Sequence, residues 1–142
     1  MKKKSKISNL LVAGTVIIAT GWLSMSFVNF QDPKKKKWDV PDASKNMKNT
    51  VPSNPESIAA GKTLYTKSCK SCHGTTGKGD GPKSAELETP CGDFTTAEFK
   101  AETDGTIFHK AKEGRNDMPS FKTKIPADND IWSIINYIRT LK

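Results

Sequence analysis

The sequence predicts an all-α fold: a small helical domain preceded by an N-terminal apolar helix. Three observations predict it. Residues 7–30 form an apolar run without a single charge. Ile58-Ala59-Ala60-Gly61-Lys62-Thr63-Leu64-Tyr65 reads as helix rather than strand. Near the C-terminus, Ile131, Ile134, Ile135, Ile138 and Leu141 recur at three- and four-residue steps, which draws one apolar stripe along a helix.

The N-terminal run is richest from Leu10 to Val28, and Lys2, Lys3, Lys4 and Lys6 precede it. A basic start before an apolar stretch is an export signature. The run matches the roughly 20 residues that cross a bilayer. Ser24-Met25-Ser26 also offers a small-x-small cleavage site. Residues 1–30 are therefore expected to be either a retained membrane anchor or a signal peptide. Either way, the rest of the chain works on the periplasmic side of the cytoplasmic membrane. No Cys lies near the run, which leaves a lipid anchor through an N-terminal Cys without support.

The net charge of +8 invites a nucleic-acid reading until the charge is located. Eight lysines sit at the N-terminus and at Lys34–Lys37, flanking the apolar run. Residues 38–142 carry 15 basic and 14 acidic side chains, so the domain is nearly neutral and no nucleic acid is expected as partner.

Residues 31–55 read as a linker, with Pro33, Pro41, Pro52 and Pro55 and no sustained period. Trp38, Val40, Met47 and Val51 are scattered apolar points that could lay this segment on the domain; a free tether is the other reading. The domain is expected over residues 56–142. Its 87 residues are few for a self-sufficient core, and domains this small often lean on a metal, disulfide or cofactor.

The decisive motif is Cys69-Lys70-Ser71-Cys72-His73. C-x-x-C-H reads as covalent attachment of c-type haem. Two thiols one turn apart reach two vinyl groups on one porphyrin edge, and the adjacent imidazole lies under the iron. A thioredoxin-like thiol pair needs a strand leading in, which Ile58–Tyr65 does not supply. Zinc would take four ligands, and Cys91, His73 and His109 offer no second pair at metal spacing.

The sixth iron position has one leading candidate, Met118, in Gly114-Arg115-Asn116-Asp117-Met118-Pro119-Ser120-Phe121. Pro119 disfavours helix at Met118, so an extended loop can present the thioether. His109 is the alternative, giving two histidine ligands. It falls on a helix behind Asp104 or Thr103, whose buried side is Ile107, Phe108 and Ala111. Met47 lies in the linker and Met25 in the apolar run.

Between motif and candidate ligand, Gly74–Gly81 lacks the phosphate-loop pattern and reads as a tight turn against a porphyrin. Thr95 or Thr96 caps a short helix through Phe99, and Phe94 and Phe99 are candidate pocket walls. Cys91 is an odd thiol in an oxidising compartment, read first as a buried inert cysteine, with a disulfide to a partner or an unusual haem contact as the other readings. The last helix is expected over Ala127–Leu141, capped by Asp128 or Asn129, with Trp132 and Tyr137 flanking its stripe.

With these residues in view, residues 56–142 resemble the class I cytochrome c family. Gly61 and Tyr65 resemble that family's first-helix Gly and aromatic, where the small residue lets the terminal helices cross. Pro82 resembles the Pro whose carbonyl accepts the proximal imidazole N–H. Met118-Pro119 resembles the distal-ligand loop. The resemblance implies a cytochrome c-like domain wrapped around one haem c, with Cys69 and Cys72 attaching it and His73 and Met118 on the iron. It implies electron transfer between donor and acceptor proteins rather than catalysis. The alternative function is a haem subunit of a larger membrane oxidoreductase or terminal oxidase complex.

Overall fold

The computed structural model describes residues 37–142. The expected anchor or signal, the lysines at 34–36 and the start of the linker lie outside the described residues. Among the described residues there are six α-helices and one 3₁₀ turn at Ser84–Glu86. None of these helices is long and apolar enough to cross a membrane. The helices are α1 (Asp42–Lys45), α2 (Pro55–Ser68), α3 (Lys70–His73), α4 (Ala97–Lys100), α5 (Asp104–Glu113) and α6 (Asp128–Ile138).

Helix α2 starts where the local chemistry dictates. Asn54 Oδ1 accepts the Ser57 N–H at 2.8 Å, and Ser57 Oγ accepts the Asn54 N–H at 3.2 Å. Pro55 stands at the first helical position, where its missing N–H costs nothing.

The pairing of α2 with α6 is the framework of the domain. A Cβ built on Gly61 would lie 1.9 Å from the Ser133 carbonyl oxygen, so only glycine permits this approach. Gly61→Val is therefore expected to force the helices apart and destabilise the haem-loaded protein by about 3 kcal/mol or more, read as a lower guanidinium midpoint.

The stripe of α6 is buried as its spacing requires: Ile131, Ile134, Ile135 and Ile138 join Tyr65, Ile107, Phe108, Phe121 and Ile125 in one core. Trp132 belongs to that core too, stacked on Phe108 of α5 with ring centroids 4.1 Å apart. Each such side chain contributes about 1.5–3 kcal/mol by burial. The half-exposed Lys112–Asp128 pair contributes under about 1 kcal/mol, so packing sets the position of α6.

Helix α6 is shorter than expected and lacks a side-chain cap. The Asp128 carboxylate is drawn to Lys112 Nζ at 2.6 Å instead of folding back on its own helix. Ala127 takes the cap position, and Leu141 leaves the helix to lie near Gly77.

The expected linker lies on the domain from Trp38 onward. Val40 is buried, and α1 packs on α5. Thr103 Oγ1, which also caps α5, donates to the Lys45 carbonyl at 2.8 Å. Buried Asn136 of α6 collects the rest. Its amide donates to the Val51 carbonyl at 3.1 Å and Ser57 Oγ at 3.2 Å, and its oxygen accepts from Asn49 at 2.8 Å. A segment whose backbone carbonyls are satisfied by a buried side chain is not a free tether. The compact unit thus begins N-terminal to the boundary expected at Glu56.

Candidate functional site

The two motif cysteines sit at the junction of α2 and α3. Cys69 ends α2, its N–H donating to the Tyr65 carbonyl at 2.8 Å, and it also opens α3. The Cys69 carbonyl then accepts from Cys72 N at 3.2 Å and His73 N at 3.0 Å. One turn of helix therefore carries both thiols and the imidazole. Gly74 stops it at φ +77°, and the buried Tyr65 hydroxyl donates to the Gly74 carbonyl at 2.7 Å. Tyr65 thereby ties the end of the motif back to α2.

The glycine-rich loop folds back along the motif. Gly79 N donates to the His73 carbonyl at 3.0 Å, Gly81 N to Cys72 at 3.1 Å and Lys83 N to Ser71 at 2.9 Å. This is the tight turn expected of Gly74–Gly81.

His73 is half-buried and Phe94 stacks on it, with centroids 4.5 Å apart and planes inclined by 24°. Phe99 continues the column at 4.6 Å from Phe94. Thr96, rather than Thr95, caps α4 and so fixes Phe99. Thr95 instead donates to Asp93 Oδ1.

Burial holds the His73 imidazole below its usual pKa, opposed by the Gly92 backbone, so the ring is neutral and able to bind a metal. Its Nδ1 is buried and makes no hydrogen bond. The Pro82 carbonyl therefore does not accept from Nδ1 in this structure. Pro82 is exposed, and its neighbours Gly81 and Lys83 bond to motif backbone carbonyls instead.

Burial also pushes the Cys69 thiol up to about 12, with Cys72 adding to the rise. A thiol-redox pair needs a stabilised thiolate, which is the opposite environment. Among the described residues, no three His, Cys, Asp or Glu are grouped to hold a metal, so the zinc alternative has no ligand set.

Cys91 is only half-buried, not enclosed as expected. It is a free thiol whose pKa is raised by burial and by Cys72. That keeps it protonated and inert.

Met118 lies in a loop held at several points. Arg115 N donates to the Met118 carbonyl at 2.8 Å, and Met118 N donates to the Arg115 carbonyl at 2.9 Å. Asn116 turns between them at φ +51°, a conformation asparagine tolerates. Asp117 Oδ2 accepts from Thr89 N at 2.9 Å, and Ser120 Oγ donates to the Lys112 carbonyl at 2.7 Å. The loop crosses itself at Gly114, where a Cβ would lie 2.4 Å from Ser120 N.

Met118 is half-buried and packs, with Cys69 and Phe94, against the common core. His109 stands on α5, where it and Lys112 add to the lowering of the Glu113 pKa that Lys122 dominates. The Trp38, Asn49 and Asn136 contacts were not read from sequence. Each joins residues tens of positions apart, which no local pattern encodes.

The domain so built is an all-α unit with a Cys-x-x-Cys-His turn set against an aromatic wall, and that combination defines the c-type cytochromes. Residues 56–138 match the family described as cytochrome c oxidase, cbb3-type, subunit III, and the chain belongs to that family. It is 37% identical over 91 residues to cytochrome c-554(547) of Halothiobacillus neapolitanus, covering 59% of this chain and 96% of that protein. It is 32% identical over 90 residues to the Cbb3-type cytochrome c oxidase subunit CcoP of Helicobacter pylori, covering 63% of this chain and 30% of that protein.

Among solved structures it resembles the Kuenenia stuttgartiensis reducing HAO-like protein complex Kustc0457/Kustc0458. That match has TM-score 0.57 and 28% identity, over 75% of this chain and 52% of that one. It also resembles the KustC0563 c-type cytochrome, at TM-score 0.50 and 25% identity, over 58% of this chain and 96% of that one. The chain thus spans under a third of CcoP and about half of the first solved relative. Membership makes this an electron-transfer haem protein whose cofactor is haem c, covalently bound through its porphyrin and holding iron. The residues present fit that cofactor: two thiols on one turn, and a neutral, half-buried imidazole whose Nδ1 makes no hydrogen bond within the chain.

Proposed function

We propose that Cys69 and Cys72 attach the haem through thioethers, that His73 and Met118 are the axial ligands, and that the domain relays single electrons without catalysing a reaction. The turn that puts both sulfurs beside a stacked, neutral imidazole carries this reading. Bound haem supplies an iron that alternates between two oxidation states.

The chain's own residues do the rest. Phe94 fixes the plane of His73. Tyr65 holds the end of the motif turn. The bridged 115–118 backbone keeps the Met118 thioether from swinging away. Two protein ligands that stay in place leave little to rearrange when charge changes, and an apolar shell of core side chains limits water at the iron.

The work is assigned to the periplasmic side of the membrane, supported by the basic start and uncharged run of residues 2–30. The donor and the acceptor are redox proteins that meet the domain through small, short-lived interfaces.

A second reading, a haem subunit of a larger oxidase complex, draws support from the family's description and from CcoP. The match that spans 96% of cytochrome c-554(547) and 59% of this chain supports the separate carrier. The reduced wild-type protein is expected to leave carbon monoxide unbound over minutes and to exchange electrons reversibly at an electrode. Rapid carbon monoxide binding would instead mean an open iron site and a binding or catalytic role. Solubilised membranes run on a sizing column separate the two assemblies: a carrier elutes near its own mass, and a complex subunit elutes with oxidase.

A further inference from the structure

Trp38 lies outside the family-matched residues 56–138, yet it touches the loop that bears Met118. The Arg115 guanidinium carbon stands 4.4 Å from the centre of the indole ring. Lys110 of α5, itself paired with Glu102, stands 5.8 Å from the same ring. The indole therefore bridges α5 and the Met118 loop.

It is itself well founded. Val40, two residues on, is buried, and α1 is pinned to α5 through Thr103 and through the close approach of Gly105 to the Ser44 carbonyl. Arg115, in turn, is the residue whose backbone exchanges both hydrogen bonds with Met118. From Trp38 to Met118 there is one ring contact and one bridged turn.

We propose that Trp38 is a positioning residue for Met118: its indole, stacked against Arg115, holds the 114–120 loop so that the thioether stays on the iron. This rests on the reading of Met118 as axial ligand. Thr89 anchors the tip of the same turn through Asn116 and Asp117, at 3.3 and 2.9 Å. Trp38 anchors its base, the end that carries Met118's hydrogen-bonding partner. An arginine on an aromatic face is attracted by the ring's quadrupole, and the attraction grows as the pair is desolvated. Removing the ring loosens the base of the turn and raises the fraction of time Met118 is off the iron.

The test compares haem-loaded wild type, Trp38→Ala, Trp38→Phe and Met118→Ala. Three things are read: the rate of carbon monoxide binding to the reduced protein, the weak far-red band of methionine-ligated ferric haem, and the pH at which that band is lost. Trp38→Ala is expected to bind carbon monoxide roughly tenfold faster, the size a partly desolvated cation–π contact supports. It should lose the far-red band at a lower pH. Trp38→Phe keeps a ring face and should restore most of both.

A loss of overall stability alone would lower the denaturant midpoint while leaving the native band and the carbon monoxide rate at wild-type values, and that result overturns the proposal. If Met118→Ala changes both readouts and Trp38→Ala changes neither, Met118 is the ligand and Trp38 does not position it. If Met118→Ala itself changes neither, the ligand assignment fails and the positioning role fails with it.

Discussion

Met118→Ala is expected to lower the reduction potential by on the order of 0.1–0.3 V and to open the reduced protein to carbon monoxide. A thioether is a soft ligand that favours ferrous iron, so its loss favours the oxidised state. Alanine offers no donor atom, and water or an added small ligand takes the position.

The structural cost should be moderate. Met118 is half-buried at the margin of the core, and the turn around it is held by backbone bonds that alanine keeps. A truncated methionine at such a site costs toward the low end of about 2–5 kcal/mol. Redox titration and carbon monoxide difference spectra check the prediction together. An unchanged potential with no carbon monoxide binding would move the ligand elsewhere. His109→Ala would then be the next variant, though its place on α5 beside Glu113 argues for the surface.

Local chemistry made much of this legible. The helix into Cys69, the cap at Thr103 and the stripe of α6 each depend on residues within a turn or two of one another, whereas the crossing at Gly61 was implied by the resemblance to the class I cytochrome c family. The motif turn was legible for the same reason, since Cys69, Cys72 and His73 share one hydrogen-bonded turn.

What sequence missed depends on contacts between distant residues. The segment around Trp38 and Val51 has no period because it forms almost no helix. It is fixed instead by Asn136 and by α5, roughly 60 to 90 positions away. The length of α6 was overestimated because the apolar spacing continues through Leu141, while the chain turns at Arg139. The Arg139 guanidinium bonds to the Asp104 carboxylate and the Glu102 carbonyl, which ties the end of α6 to the start of α5. Asp128 failed as a cap because a lysine from another helix competed for its carboxylate.

Changing Cys69 and Cys72 together to serine is expected to release all haem into acidified organic solvent, whereas wild type keeps its haem and its red colour through the same treatment. Acid protonates the imidazole and breaks the iron bonds in either protein, so only thioethers can hold the porphyrin afterwards. Each single variant leaves one sulfur, and one covalent bond suffices for retention. The intact mass of the denatured proteins should therefore include a porphyrin for wild type and both single variants, and lack one for the double variant.

The third thiol makes this more than a check on colour. Cys91 is half-exposed and protonated, its ionisation disfavoured by burial and by the nearby Cys72. If the double variant still carried a covalent porphyrin, Cys91 would be the sulfur that supplied it, and the assignment of attachment to the motif turn would be lost. The backbone argues against that outcome. Cys91 follows Pro90 in a stretch without helix, and Gly79 packs on its carbonyl. Only Cys69 and Cys72 share the turn that also presents an imidazole.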